Sequence, residues 1–305
     1  MTEPTAYEQQ APPVCPRHPD RVSYVRCQRC GRPTCPECQR AAAVGVQCVD
    51  CVKQQAATMR SATTVFGGRV SDRPVVTLTI IAICVLVWLG QQVSGSLTSK
   101  IWFIPATGDQ EPYRFLSSAF AHAPRQVMHI VFNMLALWLV GGQYLEPLLG
   151  RLRYAVLYLL SAIGGSVVLL LLAQPPSGPV LTWEDLGSWG TPTVGASGAV
   201  FGLFGALLVL NRKLGRSSAG MYATLVINAV LGFVIPSVAW QAHLGGFLTG
   251  CAVAAVLAWS HDRGRRRWQW PGLALIAVVL VAAAMVKYAL APDLGITFAL
   301  GSGLL

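Results

Sequence analysis

Seven blocks of the chain, near 74–92, 127–145, 154–173, 194–211, 221–236, 240–259 and 271–290, are almost free of charge. Most are long enough to cross a hydrocarbon layer of roughly 30 Å, which takes about 20 helical residues. Inside lipid every backbone polar group needs a partner within its own segment, so apolar runs of this length fold as helices. With 53% hydrophobic and 12% charged residues, the chain reads as an all-α polytopic membrane protein rather than a soluble domain. Two blocks fit least well: the second carries His129 and Asn133, and the fifth is short.

Charge sets the expected orientation. Residues 1–60 are polar and rich in Cys and Arg, with no apolar core segment of the kind a cleavable signal carries, so the N-terminus is expected to stay in the cytosol. Arg151 and Arg153, then Arg212, Lys213 and Arg216, then Arg263, Arg265, Arg266 and Arg267 fall in alternate loops, whereas 175–192 and 236–240 hold no basic residue. The positive-inside rule then gives a cytosolic N-terminus and an outer C-terminus, as in a bacterial plasma membrane protein. Only the 93–126 loop is mixed, with Lys100, Arg114 and Arg125. The net charge of +10 is accounted for by topology and an Arg-rich head, and nucleic acid is not an expected partner.

Seven of the nine cysteines lie between 15 and 51, as Cys15-x2-His18, Cys27-x2-Cys30, Cys35-x2-Cys38 and Cys48-x2-Cys51. Four pairs with two-residue gaps supply eight ligands, the number that two tetrahedral zinc sites need. Disulfides are the competing reading, but cytosolic thiols stay reduced. The spacing resembles a B-box-type zinc finger, and that resemblance implies alternating pairs: Cys15, His18, Cys35 and Cys38 on one ion, Cys27, Cys30, Cys48 and Cys51 on the other. A head with so little apolar content needs the metal to fold. The expected organisation is a zinc-binding domain at 1–55, a linker at 56–73, a helical core at 74–260, and a basic loop, seventh helix and outer tail at 261–305. Cys84 and Cys251 sit in apolar blocks as small packing residues.

Polar residues inside apolar helices are costly and point to function. His129 opens the second helix in "MHIVFNM", Ser197 the fourth in "TVGASGAVFGLFG", and His243 the sixth in "WQAHLGGFLTG". Under the expected topology all three helices start on the outer face, so the three side chains share one depth. Asn133 falls four residues after His129, on the same helix face. Gly198-x3-Gly202 and Gly246-x3-Gly250 give the fourth and sixth helices small-residue stripes for close mutual packing, which could bring Ser197 to His243. Packing alone would explain a lone serine among glycines; a serine with a histidine at the same depth suggests a nucleophile and its base. His129, the Asn133 amide and the Ser197 backbone N–H are candidate oxyanion donors. No Asp or Glu occurs between 186 and 261, which leaves a Ser–His dyad without a carboxylate and argues against an ion-carrying transporter.

"HIVFN", "GASG" with its following glycines, and "AHLGG" together resemble the motifs of the rhomboid family of intramembrane serine proteases, over roughly 75–260. That resemblance implies a six-helix core plus one C-terminal helix, Ser197 as nucleophile, His243 as base, and His129 with Asn133 as oxyanion stabilisers. It implies single-span transmembrane substrates in the lipid bilayer and no cofactor for catalysis. The loop "EPYRFLSSAFAHA" is similar to the family's first outer loop, with Tyr113-Arg114 in place of its Trp-Arg pair. Phe201 stands where some relatives have a tyrosine that packs on the histidine, and His122 matches a loop histidine expected to hold the loop. The rival reading is a catalytically silent relative that binds membrane clients while the zinc head recruits a cytosolic protein partner.

Overall fold

The structure, a computed structural model, describes residues 11–58, 63–71, 73–177, 182–220, 222, 238–262 and 264–292. Apart from residue 222, the helix expected over 221–236 lies outside the described residues, as do most of the C-terminal tail and part of the linker. Internal contacts divide the chain into two units, with the division after Ser61.

In the first unit, β1 (Val14–Cys15) pairs antiparallel with β2 (His18–Val22) and β3 (Gln39–Ala41) with β4 (Val46–Cys48), and α1 (Val49–Thr58) follows. Among the described residues, the only buried apolar side chains of this unit are six cysteines, Cys15, Cys27, Cys35, Cys38, Cys48 and Cys51. A unit of this size cannot be held by so small an apolar interior, so whatever binds those thiols does the work of a core.

The second unit is helical: α2 (Val75–Val93), α3 (Gly95–Ile101), α4 (Arg114–Ser117), α5 (Val127–Leu149), α6 (Arg151–Leu172), α7 (Ser197–Lys213), α8 (Trp240–Trp259) and α9 (Gln269–Leu290). Among the described residues five helices, α2, α5, α6, α8 and the helix ending at Leu290, are long and apolar enough to cross a membrane. α6 is central, 61% of its most apolar window being buried, whereas the last helix is peripheral at 11% and turns Leu275, Val278, Val281 and Met285 outward. α7 has 17 residues, short of a full span, and lies against α6 and α8.

Three features depart from the sequence expectation. The second helix continues to Leu149 because a nine-residue π turn, Leu137–Leu145, and a final turn, Glu146–Leu149, extend it past the predicted end at 145. Buried Glu146 takes the backbone N–H groups of Val76 (2.9 Å) and Thr77 (2.8 Å) and the Thr77 hydroxyl (2.8 Å), satisfying donors that the start of α2 leaves without intrahelical partners. The stretch read as linker is structured at both sides: α1 runs to Thr58, and 63–69 closes on itself through a Thr63–Arg69 bridge with Phe66 fully buried in the second unit.

The 93–126 segment is also more than a loop. Arg114 is buried, donates through Nη1 to the carbonyls of Ser99 (2.5 Å) and Trp102 (3.1 Å), and pairs with Glu111 at 2.6 Å. Gln91 holds the backbone of His122 from both sides (2.9 and 3.0 Å), and Ser166 of α6 donates to the Phe115 carbonyl (2.9 Å). These bonds tie a polar segment to α2 and α6, which makes it a fixed wall beside α7.

Candidate active site

The site begins with how closely α7 and α8 approach. A Cβ built on Gly246 would collide with the carbonyl of Gly198, and one on Gly250 with that of Gly202, so the two predicted small-residue stripes face each other and the backbones touch. With the helices in this register, the first residue of α7 and the fourth of α8 meet: Ser197 Oγ lies 2.8 Å from His243 Nε2. The Phe201 ring, one turn further along α7, stacks on the His243 imidazole with centroids 4.3 Å apart and planes 8° from parallel. That stack fixes the ring plane so that Nε2 aims at the serine.

The turn before Ser197 is held from outside α7. Thr193 pairs with Phe103 by two backbone bonds (2.8 and 3.0 Å), and the Gly195 N–H donates to the Ser118 carbonyl (3.0 Å). Gly195 has φ +131°, a conformation closed to most side chains, and a Cβ there would sit 2.9 Å from His129 Nε2 and 3.5 Å from Ser197 Oγ. The His129 ring edge therefore borders the Ser197 hydroxyl across a glycine that leaves room between them.

His129 Nδ1 accepts from the Ala123 backbone N–H at 3.4 Å, which assigns the proton of a neutral imidazole to Nε2, the nitrogen facing Gly195. Asn133 is buried and donates one amide proton to the His129 carbonyl at 2.8 Å, leaving the second N–H for another acceptor. His122, fully buried, has its ring centroid 5.3 Å from that of His129. Burial, followed by repulsion from His129, pushes its pKa down to about 4. Hydrogen bonds between Gln91 and the His122 backbone hold the loop.

The structure brings Ser197, His243 and His129 together, with Asn133 one turn along from His129. The sequence reading missed Gly195, Gln91, the Ala123 N–H and Glu146. Gly195 was visible as the first residue of "GASG"; Gln91 and Glu146 act through bonds 31 and about 70 residues apart, and the Ala123 N–H through a loop turn that no local pattern announces. Lys287, near the end of α9, donates to the Leu171 carbonyl at 3.1 Å.

The head contains a second candidate site. The ligand atoms of Cys15, His18, Cys35 and Cys38 all lie within 4.8 Å of one another, and so do those of Cys27, Cys30, Cys48 and Cys51. All nine cysteines are free thiols. Cys30 Sγ and Cys48 Sγ are 3.8 Å apart, which matches the edge of a tetrahedron with metal–sulfur bonds of about 2.3 Å. His18 turns Nδ1 toward Cys35 (3.2 Å) and Cys38 (3.4 Å) while Nε2 lies 3.8 Å from Glu37, the orientation of a ligand steadied by a carboxylate behind it. Both groups can hold a metal ion.

Comparison with known proteins agrees with this arrangement. Residues 109–260 match the family model described as Rhomboid domain. Rhomboid protease GluP of Bacillus subtilis is 29% identical over 200 residues, covering 61% of this chain and 36% of that protein. Rhomboid protease GlpG of Salmonella newport is 30% identical over 192 residues, 59% of this chain and 62% of that one. RHOMBOID-like protein 4 of Arabidopsis thaliana is 35% identical over 154 residues, 48% of this chain and 34% of that one. The chain thus matches between about a third and less than two thirds of these relatives' lengths. Carrying a rhomboid domain over 109–260 and sharing its sequence with rhomboid proteases, the chain belongs to the rhomboid family.

Proposed function

We propose that the chain is an intramembrane serine endopeptidase with Ser197 as nucleophile and His243 as general base. The observation that carries the reading is the 2.8 Å contact between Ser197 Oγ and His243 Nε2. His243 takes the hydroxyl proton as Oγ bonds to the scissile carbonyl carbon, and returns it to the departing amine. Water then repeats the cycle on the acyl-enzyme. The tetrahedral oxyanion is met by His129 Nε2–H, the free amide N–H of Asn133 and the Ser197 backbone N–H, which lies in the first turn of α7 where helix donors have no intrahelical partner. With no carboxylate behind His243, the Phe201 stack takes over the task of orienting the base.

Substrates on this reading are transmembrane segments of single-span proteins, cut near the outer face. A helical peptide bond is shielded, so small or helix-breaking residues near the cut ease the local unwinding. A 17-residue α7 spans about 25 Å at 1.5 Å per residue, less than the hydrocarbon layer, which leaves its N-terminus recessed where water can enter from one side. The charge asymmetry of the loops supports a cytosolic N-terminus and outer C-terminus in a bacterial plasma membrane. The protease core is 74–260, joined by 56–73 to a head at 1–55 that carries two structural zinc ions and recruits a cytosolic partner, with 261–305 adding the seventh helix.

Labelling of the detergent-solubilised chain by a fluorophosphonate serine probe tests the chemistry. Labelling that disappears in Ser197→Ala is expected. A folded wild-type chain that takes no label would turn the reading to a client-binding protein without catalysis.

A further inference from the structure

The end of the bundle far along α8 from His243 carries an arrangement that neither catalysis nor topology uses. Arg153, near the start of α6, donates from Nε to Gln269 Oε1 at 2.7 Å, and its guanidinium lies 5.6 Å from the centroid of the Trp270 ring. Gln269 is 1% exposed and is locked in turn by Ser260 (3.1 Å). Arg266 packs against Gly67, where a Cβ would lie 2.9 Å from its Cζ, and its Nε–H is buried with no hydrogen-bond partner among the described residues. His261, whose ring meets Phe66 at 5.5 Å, likewise has Nδ1 buried and unpartnered. Arg266 opens the short turn Arg266–Trp268 directly before Gln269, the residue that holds Arg153, so both arginines stand at the same end of the bundle.

Two guanidiniums do not gather at a helix-bundle end without an anion to offset them. Among the described residues none is supplied: Asp262 is taken by Arg265, and Glu146 by the start of α2. Solvated loop arginines, the ordinary outcome of the positive-inside rule, would not have a sealed Nε or a buried glutamine fixing them. The surroundings favour a lipid over a free ion. Trp259, Trp268 and Trp270 are 50%, 50% and 41% exposed around the cluster, the first two carrying Arg265 and Arg267 on their rings, and the outward apolar face of α9 begins beside them. Tryptophans of this kind belong at the headgroup level.

We propose that Arg153 and Arg266 form a site for the phosphate of an anionic phospholipid headgroup, rimmed by Trp268 and Trp270, with the acyl chains along α9. Planar guanidiniums suit this ligand because each can give a phosphate two parallel N–H bonds.

The test is native mass spectrometry of the full chain in detergent, titrated with phosphatidylglycerol or phosphatidylcholine, together with lipid-free melting curves. Wild type should retain a single phosphatidylglycerol and little phosphatidylcholine, and the Arg153→Gln/Arg266→Gln double variant should bind phosphatidylglycerol at least about tenfold more weakly. Arg212→Gln/Arg216→Gln, which removes equal charge elsewhere, should bind as wild type does. Arg153→Lys should recover only part of the affinity. Unchanged binding in the first double variant while it melts as wild type does would overturn the site. Equal losses in both double variants would mean diffuse charge attraction and do the same. Displacement of the retained lipid by millimolar inorganic phosphate would reassign the pocket to a free phosphate and sink the lipid assignment.

Discussion

At the scale of single residues the site is a set of side chains each held by one neighbour. Ser197 and His243 act as a unit on the proposed mechanism, so Ser197→Ala and His243→Ala should each lower cleavage of a model transmembrane substrate by roughly 10³-fold or more, and the double variant should be no worse than either. Turnover near wild type in either single variant would remove that residue from the chemistry. Phe201 tests the finer point. Its ring acts on the chemistry through the orientation of the base, so Phe201→Ala should reduce kcat by about tenfold, the value of one aromatic stack, while Phe201→Tyr should retain activity. Steady-state kinetics on both variants separate a positioning ring from a merely filled gap, since a filled gap would lower the melting temperature and spare kcat.

Elements matter through two close contacts. The α7–α8 seam is backbone against backbone at Gly246 and Gly250, and any side chain there pushes the serine helix away from the histidine helix. Gly250→Leu should therefore lower both activity and melting temperature, by the roughly 1–3 kcal/mol expected of an overpacked contact, even though residue 250 lies almost two turns from His243. Activity and melting temperature both at wild-type values would show that the helices can part without harm. The second contact is Glu146 at the start of α2. Glu146→Ala on α5 strips three donors of α2 of their acceptor and should destabilise the fold by about 1–3 kcal/mol, whereas Cys84→Ala on α2, which removes only a small packed side chain, should cost less. Thermal denaturation in one detergent ranks the two.

For the molecule as a whole, the candidate metal ligands all lie at 15–51 in the first unit and the proposed dyad lies in the second. Metal analysis of the purified chain should find close to two zinc ions, and a chelator should release them with loss of the head's structure, since among the described residues cysteines are its only buried apolar groups. A ratio near zero would reject the metal assignment. Deleting residues 1–60 should leave turnover of a detergent-solubilised substrate within a few-fold of wild type, while in cells it should alter which substrates are processed, as loss of a tethered recruiting module would. A collapse of purified turnover with the helices still folded would instead make the head a regulator of the core.

The sequence by itself determined the class of fold and the identity of the candidate site residues. Long apolar runs admit only helices in lipid, four two-residue-gapped pairs in a head without apolar core admit few roles but metal, and rare polar residues in apolar helices are conspicuous because they are costly. It also supplied the Gly198/Gly202 and Gly246/Gly250 stripes, because side-chain size and helical period are local properties. The tertiary structure alone decided what depends on distance between segments far apart in the chain. His243 reaches Ser197 only after two helices meet at contacting backbones. The tautomer of His129 rests on a loop N–H six residues earlier, α2 is capped by a carboxylate 70 residues away, and Arg153 and Arg266 turn inward against Gln269 and Gly67. Each of these is a hydrogen bond or a packing contact between segments, and such contacts form only where burial removes water as the competing partner.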